Sequence, residues 1–369
     1  LQSIEEQGLT NVRLLNEDVM EVLDRALENG LYVTMGIELG SERHGFDYDN
    51  EAAVAEQFER VKQEVLRYKD HPALIIWAIG NELNLFYSNP KVWNAVNQIS
   101  EYIHEVDTNH LTTTTLAGIN KDLVDEIKER APDIDLLSIQ MYADLPNLPR
   151  YIEEFEWEKP YMVTEWGATG HWEVAKTEWE APIENHSSVK ADAYLERYHQ
   201  AIEPSKGHSI GSYVFLWGQK QERTPTWYGV FLESGEETES VDVMHYIWSG
   251  EWPENRSPRL DSFLLEGKTA YDHIYLEPGQ ASRAQVYSTD PDGDALTYQW
   301  VVMPESTDVG EGGDFEPTPE PVHGLFKGKP ADCLQFTAPE SPGAYRLFIY
   351  VFDGQGHAAH ANIPFFVRD

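Results

Sequence analysis

Two apolar runs in the sequence each end in a glutamate. The string ALIIWAIGNELN (73–84) places Asn81 and Glu82 after a buried-strand pattern, and PYMVTEWG (160–167) does the same for Glu165. A carboxylate is costly to bury unless it is paired or used in a reaction. Two carboxylates that flank a sugar hydrolyse a glycosidic bond, because one protonates the leaving oxygen while the other attacks or activates water. For either glutamate alone, a salt bridge at a strand end is the alternative.

Other residue types suited to sugar binding stand at or near the ends of further apolar runs. Guanidinium, amide and phenol groups hydrogen-bond hydroxyls and carboxylates, and tryptophan rings stack on the apolar faces of pyranoses. In a barrel of parallel strands the active site lies at the carboxyl ends of the strands, so these residues are expected to converge with the two glutamates. They are Arg13, Glu38, Gln140, Tyr142, Trp166, Trp217 and Gln219.

The elements that must position these residues alternate along the first 220 residues. Short runs rich in β-branched or aromatic residues predict buried parallel strands, and amphipathic stretches between them predict helices. The strand-like runs are NVRLL (11–15), LYVTMGIEL (31–39), ALIIWAIG (73–80), LTTTTLAG (111–118), IDLLSIQMY (134–142), PYMVTEWG (160–167) and GSYVFLWGQ (211–219). The helical stretches include EDVMEVLDRALENG (17–30), EAAVAEQFERVKQEVLRYKD (51–70) and KVWNAVNQISEYIHEVD (91–107).

Strands that alternate with helices predict an α/β fold, here a (β/α)8 TIM barrel over residues 1–250. Seven runs are one fewer than a closed barrel needs, and an open gap would expose two strand edges. The opening LQSIEEQG has the pattern of the end of a helix. We therefore expect the first strand and most of its helix to precede Leu1. With that strand restored, Glu82 ends strand four and Glu165 ends strand seven, which face each other across the barrel.

The pattern changes after residue 250. Residues 251–262 are rich in Pro, Ser and charge and predict a linker. Residues 263–369 contain short alternating runs separated by turn signals such as DPDGD and DGQG, which predict an all-β immunoglobulin-like sandwich. The strand-like runs there are RAQVYSTD, LTYQWVV, DCLQFTAP, YRLFIYVFD and HAAHANIPFFVRD. The sandwich is either a structural appendage or a second glycan-binding module.

The strings HPALIIWAIGNELN and KPYMVTEWGATG resemble the two signature strands of the clan A retaining glycoside hydrolases, especially the family 2 type of barrel. The resemblance covers residues 1 to about 250. It implies that Glu82 is the acid/base and Glu165 the nucleophile. It further implies that Asn81 binds the sugar 2-hydroxyl, that Arg13 and Tyr142 hold the nucleophile, and that Trp217 forms the floor of the −1 subsite.

A narrower resemblance is to glycoside hydrolase family 158, carried by GHWEVAKTEWEAPIE, FLWGQKQERTPTWYGVF and the acidic sandwich. It implies a retaining endo-β-1,3-glucanase (a laminarinase). Two alternatives stay open at this point. One is an exo-acting β-glycosidase of the family 2 kind, such as a β-galactosidase or β-mannosidase, with a closed pocket in place of an open groove. The other is a carbohydrate-binding protein that has lost catalysis.

A second set of candidates lies in the predicted loops. Trp172 and Trp227 are candidates for stacking on a sugar chain, with the alternative that each only pins its loop. Gln219 offers a neutral amide to ring hydroxyls. His44, in SERHGFDYD, is a candidate for the negative subsites, although a lone histidine is more often structural. The complete predicted set of substrate-binding residues is Arg13, His44, Asn81, Tyr142, Trp166, Trp172, Trp217, Gln219 and Trp227.

Composition limits the partners. There are 27 Lys and Arg against 64 Asp and Glu, which gives a formal net charge of −37. Such a field repels nucleic acid and anionic polysaccharides, so the expected partner is a neutral polysaccharide or oligosaccharide. No run reaches the roughly 18 apolar residues that span a bilayer. The oligomeric state is left open. The predicted location is secreted, periplasmic or cell-surface, and the first residues contain no signal region, which indicates a fragment or a processed product.

Metal and cofactor signals are weak. Cys333 is the only cysteine, so an intrachain disulfide and a cysteine-based metal site are excluded. Asp290, Asp292 and Asp294 in DPDGD alternate as calcium ligands do, but the string lacks a closing glutamate and also suits a hairpin turn. No phosphate-binding glycine loop is present. We expect no cofactor.

Overall fold

The computed structural model describes residues 19–310 and 313–368. The chain divides into two compact units. The first contains the residues up to Trp166 together with Arg197–Val214, and the second contains Gly167–Glu196 and the residues from Phe215 onward. Each unit is built around β-structure of a different kind.

The first unit contains a parallel sheet. Strands that are consecutive along the chain are neighbours in the sheet, in the order β1-β2-β3-β4-β5-β6, as in a (β/α) barrel. The strands are β1 (Val33–Ile37), β2 (Leu74–Asn81), β3 (Leu111–Ala117), β4 (Leu136–Gln140), β5 (Tyr161–Trp166) and β6 (Ser209–Val214). Six of the seven predicted strands are thereby confirmed, and the seventh, NVRLL, lies outside the described residues.

Helices occupy the connections. They are α1 (Val19–Glu28), α2 (Glu51–Tyr68), α3 (Lys91–Val106), α4 (Lys121–Arg130), α5 (Leu148–Glu154), α6 (Ser187–Arg197) and α7 (Glu239–Ser249). Local chemistry sets their ends. Asn50 and Asn120 begin α2 and α4 by accepting a hydrogen bond from the backbone three residues ahead. Gly30 follows α1 with φ +69°, and the next amide, that of Leu31, bonds back to the Ala26 carbonyl, so the helix stops there.

The parallel sheet is curled. Thr34 of β1 and Tyr213 of β6 belong to the two ends of the strand order, yet their hydroxyls lie 2.6 Å apart and are buried. The inward side chains of the strands between them fill the space, with Ile76, Leu136 and Met162 packed against the Tyr213 ring. A flat sheet would hold its outer strands well apart, so this hydrogen bond is the signature of a barrel-like curve.

The C-terminal part of the second unit is all-β, as predicted. Two four-stranded sheets have the orders β10-β13-β14-β8 and β11-β12-β9-β7, and their inward residues form one apolar core around Trp300. All pairs are antiparallel except β14 with β8. The strands are β7 (Arg259–Leu265), β8 (Ile274–Leu276), β9 (Ala281–Thr289), β10 (Thr297–Pro304), β11 (Phe326–Lys327), β12 (Cys333–Thr337), β13 (Gly343–Phe352) and β14 (Ala358–Val367).

The sequence patterns missed β7, β8 and β11. Strand β7 begins at Arg259, inside the predicted linker 251–262. It was missed because the run of Pro, Ser and charged residues just before it hides its alternation of buried and exposed residues. Strands β8 and β11 have only three and two residues, which is too short for a periodic pattern. The predicted boundary between barrel and linker at residue 250 stays a prediction.

A buried charge network joins the segments that follow β5 and β6, within the second unit, to the sandwich. Lys190 of α6 donates to Glu184 at 2.5 Å, and neither side chain is more than marginally exposed. The Thr224 hydroxyl and the Asn362 amide donate to the other oxygen of Glu184 at 2.6 Å and 2.5 Å. Burial of a charge is tolerated only with such pairing. The network fixes the segments after β5 and after β6 against β14.

No helix in the part of the chain that the structure describes is long and apolar enough to cross a membrane.

Candidate active site

The end of β2 carries a β-bulge. Ala78 pairs with Thr113 of β3, but Asn81 pairs with Thr115, so β2 has one residue more than its partner over this stretch. The bulge contains Gly80 at φ +75°, a conformation that glycine adopts without strain. The Thr115 hydroxyl bonds the Gly80 carbonyl at 2.9 Å and Asn81 Oδ1 at 3.0 Å. Bulges of this kind redirect side chains next to active sites.

The end of β5 carries a second bulge. Ile139 of β4 pairs with Val163, but Gln140 pairs with Glu165, so Thr164 is the extra residue. The backbone amide that follows Gln140 donates to the Glu165 carbonyl at 2.9 Å. The bulge therefore places Gln140 and Glu165 directly side by side at the carboxyl edge of the sheet.

Hydrogen bonds bring these strand ends together. Gln140 Nε2 donates to Asn81 Oδ1 at 2.9 Å and to Glu165 Oε2 at 2.8 Å. Because Asn81 Oδ1 and Glu165 Oε2 share one donor atom, the distance between these two oxygens cannot exceed the sum of the two hydrogen-bond lengths. The bridge places Asn81, the residue before Glu82, close to Glu165, and the closeness of the Glu82 and Glu165 carboxylates stays a prediction. Tyr142 donates its hydroxyl to the other oxygen, Glu165 Oε1, at 2.6 Å.

Glu82 has an unusual backbone. Its φ is +49°, which a side chain with a Cβ adopts at a cost of roughly 1–3 kcal/mol. The conformation is held by the Glu82 amide on the Thr115 carbonyl at 3.0 Å and by the Leu85 amide on the Glu82 carbonyl at 2.9 Å. Buried Leu83 anchors the chain immediately after it. Glu156, Glu180 and Glu266 also have positive φ, so this conformation sets the direction of Glu82 without by itself marking a catalytic residue.

Two predicted residues flank the first described strand in the sequence. Arg13 lies outside the described residues, so its predicted role stays a prediction. His44 is exposed on a short helical turn, Glu42–His44, that follows β1. Its Nδ1 lies 3.1 Å from the Ser41 hydroxyl. His44 is thus on the carboxyl side of β1, and its contact with a sugar stays a prediction.

The structure corrects two members of the predicted substrate-binding set. Trp166 has no exposed surface, and its ring packs near Tyr198 with centroids 6.4 Å apart. Trp227 is 1% exposed, and its Nε1 donates to the Thr169 carbonyl at 2.9 Å. A ring without an exposed face cannot stack on a pyranose. Both tryptophans are core residues, and Trp227 pins the segment after β5 to the segment after β6 within the second unit.

The remaining candidates of the second unit differ in exposure. Trp172 is 59% exposed and offers a ring face, with its edge against His171 at 4.9 Å between centroids. Trp217 is half-buried between Phe231 and Trp248, each with its centroid 5.4 Å away. Gln219 is half-buried, and its Nε2 donates a hydrogen bond to the Pro225 carbonyl at 2.9 Å. Of the three, Trp172 is best suited to stack on a sugar.

The weak calcium candidate forms a turn. Asp290 Oδ1 accepts hydrogen bonds from the backbone amides of Asp292 at 3.0 Å and Asp294 at 2.9 Å, and Asp292 Oδ2 accepts from the Arg256 amide at 2.7 Å. These bonds define an Asx-type turn. The three carboxylates do not form a group with metal-ligand spacing among the residues that the structure describes.

Gln140 and Thr115 are the site residues whose roles the sequence patterns did not show. Gln140 appeared only as one of several strand ends, and Thr115 was one threonine within LTTTTLAG. Their roles depend on the one-residue bulges in β2 and β5, which shift the pairing register. A small signal was present, because Gly80 interrupts the apolar run of β2 just before Asn81.

A family model matches the barrel part of the chain. Residues 16–233 match the model described as glycosyl hydrolases family 2, TIM barrel domain, which is more than half of the chain. The mannan endo-1,4-beta-mannosidase F of Aspergillus clavatus is 36% identical over 73 residues, which are 20% of this chain and 17% of that protein. The probable mannan endo-1,4-beta-mannosidase C of Aspergillus terreus is 35% identical over 91 residues, 21% of this chain and 22% of that protein. The chain thus spans about a fifth of the length of these relatives.

Solved structures share the fold. An FMN-binding beta-glucuronidase from Facaelibacterium prausnitzii L2-6 superposes with a TM-score of 0.52 at 15% identity, over 99% of this chain and 51% of that one. The Bacteroides uniformis beta-glucuronidase 2 bound to a cyclophellitol aziridine superposes with a TM-score of 0.51 at 12% identity, over 100% of this chain and 43% of that one. At these identities the likeness concerns the fold, and this chain spans about half of each structure.

Proposed function

Because the chain belongs to glycosyl hydrolase family 2, we propose that it is a retaining glycoside hydrolase in which Glu165 is the nucleophile and Glu82 the acid/base. The observation that carries this proposal is the pair of donors on Glu165, with Tyr142 on one oxygen at 2.6 Å and Gln140 on the other at 2.8 Å. Donors of this kind stabilise an ionised carboxylate and fix the direction of its lone pairs. A nucleophile needs both.

The reaction proceeds in two displacements. Glu165 attacks the anomeric carbon, the glycosidic C–O bond breaks, and the departing oxygen takes the proton of Glu82. The product of this step is a glycosyl ester on Glu165. Glu82, now a carboxylate, then removes a proton from water, whose oxygen attacks the anomeric carbon and releases Glu165. Each step inverts the anomeric centre, so the product retains the configuration of the substrate.

Asn81 has a defined part in this scheme. Its Oδ1 accepts hydrogen bonds from the Thr115 hydroxyl and from Gln140, which fixes the plane of the amide. The Nδ2 group is left as the donor for the sugar 2-hydroxyl. Hydrogen bonds to that hydroxyl strengthen as the oxocarbenium-like transition state develops. Asn81 therefore couples sugar binding to the same network that orients Glu165.

For the substrate we propose a β-glucan, with endo-hydrolysis of β-1,3-linked glucan as the first specific case. The resemblance of FLWGQKQERTPTWYGVF to family 158 sequences and the exposed ring of Trp172 support it. Mannan is the second candidate, because the two curated relatives with local similarity are endo-1,4-beta-mannosidases. An exo-acting β-glycosidase is the third: the family 2 resemblance leaves a β-galactosidase or β-mannosidase open, and the two solved structures with the same fold are named β-glucuronidases. A polymeric substrate also agrees with a secreted, periplasmic or cell-surface location, which we propose with it.

The first test is product analysis with the full chain. We expect incubation with laminarin to give a ladder of short β-1,3-oligosaccharides, and incubation with mannan, galactan or cellulose to give little product. Oligosaccharides from mannan alone would contradict the β-glucan assignment and support the second candidate. Release of a single monosaccharide from aryl β-glycosides, with polymers untouched, would support an exo-acting enzyme.

The catalytic roles are tested separately on whichever substrate is cleaved. We expect Glu165→Gln to abolish turnover while leaving binding, and Glu82→Ala to slow turnover less for an activated aryl glycoside than for the natural substrate. Azide should restore Glu165→Ala through an α-glycosyl azide and Glu82→Ala through a β-glycosyl azide. Glu129→Gln, an exposed change on α4, is the control. Normal turnover by Glu165→Gln would overturn the assignment.

A further inference from the structure

Phe86, in the loop after β2, combines two features that are unfavourable in the free protein. Its side chain is 69% exposed, and its backbone has φ +57°. A bulky side chain rarely adopts that conformation, because its Cβ crowds the backbone. Among the residues that the structure describes, the other non-glycine residues with positive φ are Glu, Arg or His, so Phe86 is the apolar exception. Core packing does not explain its position.

Hydrogen bonds fix the chain immediately before Phe86. The Asn84 side chain donates to the Ala117 carbonyl and accepts from the Ala117 amide, both at 2.9 Å, which ties the loop to the end of β3. The Leu85 amide closes a turn on the Glu82 carbonyl at 2.9 Å. The turn that leads to Phe86 thus begins at the proposed acid/base and is held at the carboxyl edge of the sheet.

The chain immediately after Phe86 is anchored as well. Tyr87 donates its hydroxyl to Glu126 Oε2 of α4 at 2.7 Å. Glu42, on the short helical turn after β1, accepts a hydrogen bond from the Ser88 amide at 2.5 Å. Phe86 therefore projects from a segment that is fixed on both sides. A side chain presented in this way loses little conformational entropy when a ligand binds, which favours a role in recognition.

The position of Phe86 associates it with one side of the scissile bond. Phe86 follows Glu82 by four residues, and the turn between them is short. In the proposed reaction Glu82 protonates the oxygen that departs with the first sugar of the leaving chain. That sugar must therefore lie next to Glu82, on the side of the loop that carries Phe86. An aromatic ring with an exposed face suits the apolar face of a pyranose.

We propose that Phe86 forms the +1 subsite, where the first sugar on the leaving-group side of the scissile bond stacks on its ring. The inference rests on the proposed function, because it takes Glu82 as the acid/base. Stacking at this position acts in the first displacement, in which the sugar departs. In the second displacement the same ring binds an acceptor sugar in competition with water. The sugar bound by Asn81, on the other side of the scissile bond, does not contact Phe86.

The test compares two leaving groups on one sugar. Laminarihexaose departs with a pyranose that can stack, whereas β-laminaribiosyl fluoride departs with fluoride, which has no face to stack. We expect Phe86→Ala to lower kcat/KM for the oligosaccharide roughly tenfold and for the fluoride by no more than about twofold. Phe86→Tyr keeps the ring and should retain the activity of the parent. Tyr271→Ala, which removes an exposed aromatic side chain on the turn before β8, is the control.

Two results would overturn the +1 assignment while the parent chain is active. One is an equal loss on both substrates, and the other is no loss on the oligosaccharide. If Phe86→Ala does not fold by circular dichroism, Phe86→Leu, which is apolar but has no planar ring, gives the same comparison. Should product analysis identify mannan, mannohexaose and β-mannobiosyl fluoride form the pair.

Failure of the proposed function has a different signature. The parent chain itself would then cleave neither the laminari- nor the manno-oligosaccharide, and neither fluoride. Without a scissile bond there is no +1 subsite, so the assignment of Phe86 would fall with the catalytic roles. A parent chain that cleaves both members of a pair, with Phe86→Ala impaired on the oligosaccharide alone, supports the proposal.

Discussion

At the level of single residues, Gln140 connects two strand ends of the candidate site. Its Nε2 donates hydrogen bonds to both Asn81 and Glu165, and the Tyr142 hydroxyl at the same strand end donates to the other oxygen of Glu165. Two donors at one strand end thus hold Glu165, the proposed nucleophile, and one of them also holds Asn81, which precedes the proposed acid/base Glu82. If the proposed mechanism holds, the geometry of both of its steps depends on the carboxyl end of β4.

The contribution of Tyr142 can be measured with Tyr142→Phe. This change removes the 2.6 Å hydrogen bond to Glu165 and leaves the ring in place. A hydrogen bond to a charged group contributes about 1.5–3 kcal/mol, so kcat/KM should fall roughly 10- to 150-fold. Steady-state kinetics on the identified substrate gives the value.

The matched control is Tyr151→Phe on α5. It removes a hydroxyl that bonds Asp144 at 2.9 Å in an exposed setting and has no hydrogen bond to Glu165. Its kcat/KM should stay within a factor of two of the parent. A loss in Tyr142→Phe no larger than in this control would mean that the bond to Glu165 has no part in catalysis.

At the level of elements, the two β-bulges aim the carboxylates. Without the extra residue in β2, Asn81 would move out of the pairing with Thr115 and the side chains after it would point to the other face. The same holds for Thr164 in β5, which sets Glu165 beside Gln140. Strand pairing and catalytic geometry are therefore one structural feature.

Gly80→Ala tests the bulge in β2. Gly80 has φ +75°, and a Cβ there would lie 2.4 Å from Leu83 Cδ1, within the buried anchor that follows Glu82. The strained φ alone costs about 1–2 kcal/mol of the free energy of unfolding. Displacement of Leu83 should add to this loss and turn Glu82 away from its position. We expect lower stability in chemical denaturation and a kcat reduced at least tenfold.

Gly118→Ala separates the effect of the strained φ from the effect of displacing Leu83. Gly118 also has positive φ, at +64°, but a Cβ there meets nothing within 4 Å. This variant should show the stability loss due to φ and no displacement of a neighbour. A kcat in Gly80→Ala as high as in Gly118→Ala would contradict the role of the bulge.

The elements themselves were largely predictable, and the bulges were not. Apolar runs bounded by helical patterns located β1 to β6 because β1 to β5 are buried along most of their length and β6 keeps a run of β-branched and aromatic residues, and the GNE and TEW strings marked the ends of β2 and β5. Trp166 was wrongly placed in the substrate-binding set, and Trp227 follows the alternative that it pins its loop, because burial of a tryptophan depends on tertiary packing that no local string records. The register of β2 with β3 is likewise a property of two strands that are distant along the chain.

At the level of the whole molecule, the second unit buries two neutral histidines. Burial, with Arg223 and Lys176 nearby, lowers the pKa of His171 to about 4. Burial beside Lys190 lowers the pKa of His360 to about 3, although Glu184 opposes the shift. Other groups act in the opposite sense, since burial raises the pKa of Glu239 to about 7 and that of Asp242 to about 6. The dependence of the free energy of unfolding on pH is the sum of the histidine and carboxyl contributions.

The histidine contribution is isolated by comparing the parent chain with His171→Gln. Between pH 6.5 and 4 the unfolded chain binds a proton at His171 and the folded chain does not, so acid favours unfolding. The stability due to the neutral ring is present above pH 6.5 and is lost as the pH falls toward 4. Between pH 7 and pH 5 the parent should lose roughly 2 kcal/mol more than the variant. Denaturation curves at the two pH values give the difference, and His323→Gln, at an exposed site, should lose as much as the parent. An equal loss in the parent and in His171→Gln would show that this histidine takes up its proton without unfolding.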